Sequence, residues 1–166
     1  VLFVCGVFGG SFGPGFMVAR AVTNVPIVHD IMTATEDQPQ FEVVPTVRKP
    51  IGNSLDLAAD RLAYQRRMNG DMKRLALGGA LGTHFDRVLE IVDDRGWKLV
   101  AANRAKGTVE ATESTALFGF KDDVVIRLSA DGDKTRVDMR SASRQGRTDF
   151  RVNSKRIIAF LEELAD

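Results

Sequence analysis

The chain has 166 residues, 44% of them hydrophobic and 27% charged, a balance that suits one globular domain with its own core and excludes general disorder. Lys and Arg total 23 against 22 Asp and Glu, a net charge of +1, so the basic excess of a dedicated nucleic-acid binder is missing and no nucleic-acid partner is expected. One cysteine, Cys5, and two histidines, His29 and His84, exclude a disulfide framework and a multi-cysteine zinc site, and neither a metal nor a cofactor is expected.

No residue from Val1 to Ala19 is charged. The run sits at the lower edge of the roughly 20 residues that cross a bilayer, and its glycines and Pro14 are better tolerated in lipid than in a soluble helix. Within it, Gly6-Val-Phe-Gly-Gly-Ser-Phe12 resembles the first loop of the nucleotidyltransferases that make dinucleotide cofactors. Those enzymes follow the glycines with an aspartate and a His-x-x-His pair, whereas Gly13, Phe16 and Ala19 stand here. A loop with no charged group has nothing to offer a phosphoryl transition state, and that reading is rejected. Residues 1–25 are instead expected to form an apolar anchor or docking segment. In it Val1, Leu2, Phe3, Val4, Val7, Phe8, Phe12, Phe16 and Met17 would touch lipid or a membrane-protein complex. A chain that starts at Val1 rather than Met is expected to have lost residues upstream.

Residues 26–54 carry Pro26, Pro39, Pro45 and Pro50, too many for a helix or a long strand, and read as an extended linker packed on the domain. The domain proper is assigned to residues 55–166. A helix is expected from Leu55 to Arg67, ended by Asn69-Gly70. A second runs from His84 to Arg95, with Thr83 and Asp86 as a capping box, Phe85, Val88, Leu89 and Val92 as its buried stripe, and Gly96 as its terminator. Four strand-like runs follow: Trp97–Ala102, Gly107–Ser114, Phe118–Ser129 and Thr135–Ser143, the last two joined by an Asp-Gly turn. Asn153 is placed to cap a last helix whose apolar face is Ile157, Ile158, Leu161 and Leu164. The fold class is therefore α+β: a four-stranded antiparallel sheet with helices packed on one face, preceded by the apolar anchor.

Strand alternation divides the sheet residues into two sets. Val109, Ala111, Val124, Ile126, Leu128, Val137 and Met139 share one face, and Glu110, Asp123, Arg127, Asp138 and Arg140 share the other. A wet face with cross-strand ion pairs is the favoured reading, since antiparallel sheets commonly expose one side. The competing reading is a ligand surface, with Arg127 and Arg140 holding an anion and Glu110, Asp123 or Asp138 orienting it or acting as base. Arg144 and Asp149 lie in the densest polar stretch and complete the ligand-binding candidates; the favoured role for Asp149 is to clamp an arginine at the turn into the last helix. Asp122 and Asp123 point to opposite faces and make no catalytic dyad. Neither Ser141, which lacks a nucleophile-elbow sequence, nor His29-Asp30, which lacks further histidines, completes a catalytic set.

Phe118-Gly-Phe-Lys-Asp-Asp-Val-Val-Ile-Arg127, Val137-Asp-Met-Arg-Ser-Ala-Ser-Arg144, Gly146, Asp149 and Asn153-Ser-Lys-Arg-Ile157 resemble a bacterial and plastid family, the domain of unknown function "fourteen ninety-nine". The similarity extends upstream through Trp97 and Glu110-Ala-Thr112 to Ile27-Val-His-Asp-Ile31, covering about residues 26 to 164. The chain departs at Met68-Asn-Gly-Asp71, where a Tyr-Pro-Asp step is usual, and at Phe150-Arg151, which replaces a Leu-Gly pair. The resemblance implies a membrane segment ahead of the domain and brings no catalytic residue with it. The expected function is a non-enzymatic, membrane-anchored accessory domain docking on a larger membrane-protein complex, with a small-molecule binder or enzyme on the sheet face as the alternative. Anionic lipid is a further expected partner, through Arg61, Arg66, Arg67, Lys73 and Arg74. The expected location is the inner or energy-transducing membrane of a bacterium, the extracytoplasmic side being favoured.

Overall fold

The alternation of apolar and polar residues over 121–143 produces the longest antiparallel pair of the molecule. β5 (Lys121–Asp131) and β6 (Lys134–Ser143) run in register from Asp122↔Ser143 to Asp131↔Lys134, where Gly132-Asp133 makes the turn. The computed structural model describes residues 29–49, 52–56, 59–68, 72–114, 119–146 and 151–166. The expected anchor, with all its contact residues, lies outside the described residues. Among those described, no helix is long and apolar enough to cross a membrane.

β3 (Lys98–Asn103) and β4 (Thr108–Ser114) extend this hairpin into a meander, close to their expected bounds. The sheet is six-stranded, not four-stranded, because two short strands share the far edge of β6. β1 (Asp30–Met32) pairs with residues 140–142, and β2 (Leu75–Gly78) pairs with residues 134–137. Every pairing is antiparallel. Both additions escape sequence patterning for physical reasons. All three residues of β1 are buried, which leaves no polar alternation to read, and β2 is only four residues long.

The core lies between one sheet face and two helices, α3 (Leu81–Asp94) and α4 (Val152–Ala165), the third and fourth along the chain. α3 buries Phe85, Val88, Ile91 and Val92, and α4 buries Ile157, Phe160, Leu161 and Leu164. Each such side chain contributes about 1.5–3 kcal/mol relative to exposure. Trp97 stacks on Phe160 with ring centroids 5.5 Å apart, and the Arg95 guanidinium lies over both rings.

Helix ends differ from expectation. α3 begins at Leu81 after Ala80, so Thr83 and Asp86 fall inside it and form no capping box. Ile158 is exposed and Phe160 takes its expected place in the core. Asn153 does not stand at the cap position: Arg151, in the left-handed region at φ 67, precedes α4, and Asn153 is buried within its first turn.

The opposite sheet face is not wet. Residues 29–49 and 52–56, with the short helix α1 (Val44–Val47), supply partners to it, and α2 (Ala59–Met68) reaches β1 through a buried hydrogen bond from Gln65 Nε2 to the Asp30 carbonyl. Asp123 and Asp138 are fully buried, Arg140 is 2% exposed and Glu110 3%. The expected solvated face is thus an internal polar layer, buried because the chain folds back over it.

Candidate functional site

Four polar clusters occupy this layer, and the register places them. Met32, Arg140, Val125 and Glu110 form one row across β1, β6, β5 and β4; Asp138, Arg127 and Thr108 form the next row along β6, β5 and β4.

Arg140 is held by Asp30 through Nε and Nη2, at 3.0 and 2.7 Å. Its remaining donors reach the carbonyls of Pro39 and Leu55, at 3.3 and 2.6 Å, and Phe41 lies under the guanidinium. A buried arginine survives only with such saturation, since an unmatched charge there costs several kcal/mol.

Glu110 acts on backbone. Its carboxylate accepts the N–H groups of Glu42, Val43 and Val44, at 2.8, 3.0 and 2.7 Å, as the chain enters α1. These amides open a helical turn and have no intrahelical acceptor, so the side chain from β4 satisfies them.

Asp123 accepts from Thr112 Oγ1 at 2.8 Å and from Arg144 at 2.7 and 2.8 Å, and Arg48 lies 3.5 Å away. Burial pulls the Arg48 guanidinium below the ordinary arginine range, and the Asp123 charge opposes that. Arg48 in turn donates to the Asn53 carbonyl, while Asn53 Nδ2 donates to the carbonyls of Ser143 and Gly146.

Asp138 gathers three arginines: Arg127 at 2.9 Å, Arg74 at 3.0 Å and Arg136 at 3.7 Å. Thr33 Oγ1 donates to the same carboxylate. Arg127 also forks onto the exposed Asp37, at 3.1 and 2.9 Å. Burial lowers the Arg127 pKa, but hydrogen bonds to Asp138 and Asp37 outweigh it and hold the group above the usual arginine value. The hydrogen bond from Arg127 holds the Asp37 carboxyl below the usual carboxylate range, aided by the charges of Arg127, Arg74 and Arg136.

Of the expected ligand residues, Glu110, Asp123, Arg127, Asp138, Arg140 and Arg144 thus share one face but fall into four clusters, Asp123 with Arg144 and Arg127 with Asp138. Asp149 lies outside the described residues. The sequence reading missed Asp30, Arg48 and Arg74 as partners in this layer, because their contacts span many intervening residues.

A second network, on the helix face, also went unread. Arg156 pairs with Asp122 at 2.5 Å and with Glu113, and its Nη1 donates to Ser141 Oγ and Asn153 Oδ1. Ser141 Oγ donates to Asn153 Oδ1 at 2.6 Å, and Asn153 Nδ2 reaches Ser143 Oγ and the His29 carbonyl. A sequence signal existed: Ile157, Phe160, Leu161 and Leu164 extend backward at helical spacing to Asn153 and Arg156, which places both on the buried stripe.

The chemistry available follows from these contacts. The buried carboxylates spend their lone pairs on guanidinium, hydroxyl and backbone donors, and Ser141 is bound on two sides. Among the described residues no group of three His, Cys, Asp or Glu side chains could hold a metal ion. Outside the polar layer, a shallow apolar cavity of about 260 Å³ lies between Met72 to Leu75 and the Ile158, Leu161 and Ala165 side of α4.

No curated protein matches the chain. A family model described as "Protein of unknown function (DUF1499)" matches residues 30–164, from the first residue of β1 to the last turn of α4. That span takes in every strand of the sheet and both polar networks, and the chain belongs to the DUF1499 family.

Proposed function

We propose that the chain is a non-enzymatic accessory domain, tethered to a membrane by residues 1–25 and docking on a larger membrane-protein complex. One observation supports this reading above others: the segment that follows the apolar run is locked into the sheet. Ser143 N donates to the His29 carbonyl at 2.7 Å, β1 pairs with β6, and Asp30 binds Arg140. A tether joined to a locked strand would fix the orientation of the domain, as an adapter requires and a freely diffusing enzyme does not. The carboxylates that an enzyme on the sheet face would use as base, Glu110, Asp123 and Asp138, already accept from donors inside the chain, which weighs against a catalytic role for that face.

The proposed setting is a bacterial inner or energy-transducing membrane, with the domain on its extracytoplasmic side. The test is a pull-down in mild detergent, run with the full chain and with a form lacking residues 1–25. Recovery of a membrane complex by the full chain, lost in the shorter form, is expected. Recovery of the lone chain in both cases would sink the proposal. Protease protection in sealed membranes reads the side.

A further inference from the structure

Three buried donors in the layer beside Asp138 have no hydrogen-bond acceptor among the described residues: Arg127 Nε, Arg136 Nε and Ser129 Oγ. Buried donors are rarely left unpaired, because each loses its water without compensation. These three are neighbours by register. Ser129 lies directly opposite Arg136, and Arg127, two residues before Ser129 and hence on the same face, lies opposite Asp138.

The electrostatics point the same way. Arg74, Arg127 and Arg136 converge on Asp138, and with Asp37 the group holds three guanidiniums against two carboxylates. The Arg136 side chain makes no hydrogen bond among the described residues, and its Nε meets Asp138 at 3.7 Å, beyond hydrogen-bond reach. A water molecule accepts two hydrogen bonds and brings no charge. A tetrahedral oxyanion accepts all three and neutralises the excess, and guanidinium groups suit it in shape.

We propose that Arg127, Ser129 and Arg136 form a binding site for a phosphate-type oxyanion, with Arg74 contributing charge. Asp37, which binds Nη1 and Nη2 of Arg127 from the exposed rim, leaves Nε free but offsets part of the positive charge that the anion would meet. The oxyanion is either free phosphate or the headgroup of an anionic lipid. The site stands apart from the tethering proposal and does not depend on it.

The test uses the full chain with inorganic phosphate as probe, followed by calorimetry and by phosphorus NMR line width. Saturable binding is expected. Ser129→Ala and Arg136→Gln are each expected to weaken it about tenfold, the scale of one hydrogen bond to a charged group. Ser129→Ala removes a hydroxyl that has no partner among the described residues, so its urea midpoint is expected to match the wild type, separating lost binding from lost folding. Asp37→Asn is expected to tighten binding.

Flotation with phosphatidylcholine vesicles, with and without phosphatidic acid, distinguishes the sources. Extra recovery on phosphatidic acid that Arg136→Gln removes assigns a lipid headgroup, and phosphate binding without such recovery assigns the free anion. The proposal is overturned if neither probe binds, if Ser129→Ala and Arg136→Gln bind as the wild type does, or if Asp37→Asn weakens binding.

Discussion

Asp30 and Arg140 meet at 2.7 Å across 110 residues of sequence, each with almost no exposure to solvent. Their contact fastens the folded-back segment to the centre of the sheet. Removing one partner of a buried ion pair typically costs about 3–5 kcal/mol. Arg140→Met is therefore expected to lower stability by that amount, read as a shift in urea midpoint. Hydrogen exchange should show residues 29–56 loosening more than α3 and α4. Uniform loosening would mean that the pair does not act locally.

Glu110 gathers three backbone amides at the start of α1. Glu110→Gln keeps an acceptor but loses the charge assistance, and a cost of about 1–2 kcal/mol is expected. Glu110→Ala leaves the amides unmatched and is expected to cost more. Exchange of the Val43 and Val44 amides should accelerate in both variants while that of β5 stays protected.

The charged layer was legible only in part. Alternation in β4, β5 and β6 sorts Glu110, Asp123, Arg127, Asp138 and Arg140 onto one face, as the structure has them. It is silent on what lies over that face. The cover comes from a Pro-containing segment whose side chains reach distant strands one at a time, as Asp30, Asp37 and Arg48 do, and such contacts have no local period. Asn153 shows the opposite failure: a residue type that commonly caps helices is used here as a buried hub, and tertiary packing overrides the local preference.

Asp37 provides a pH test. Arg127 holds its carboxyl below the ordinary value of 3.8, so the unfolded chain takes up a proton at higher pH than the folded one. The contribution of this contact to stability is present above pH 3.8 and is lost as the pH falls through the depressed folded value. Carboxyl titration by NMR should find Asp37 below 3.8, moving upward in Arg127→Gln. An unchanged titration would show that the fork does not persist in solution.

Two glycines are fixed by contact as well as by conformation. Gly107 has φ +66, and a Cβ there would sit 2.2 Å from the Leu128 carbonyl oxygen; Gly52 has φ +121 and would meet the Arg144 carbonyl at the same distance. Backbone cannot yield as a side-chain tip can. Gly107→Ala is expected to cost about 2 kcal/mol or more, visible in thermal unfolding. Gly52→Ala is expected to detach the 52–56 segment, read as faster exchange of the Asn53 amide, which donates to Arg144.

The strand pairing also sets an order of events during synthesis. β1 leaves the ribosome long before β6, yet residues 140–142 are its only strand partners among those described. β5 and β6 can close locally, whereas β1 must wait for the far end of the chain and meet the entropy of a long loop. The first of the described strands to be made is thus among the last to dock. For as long as translation takes to reach Ser143, residues 29–56 are free to be handled by a chaperone before the sheet claims them.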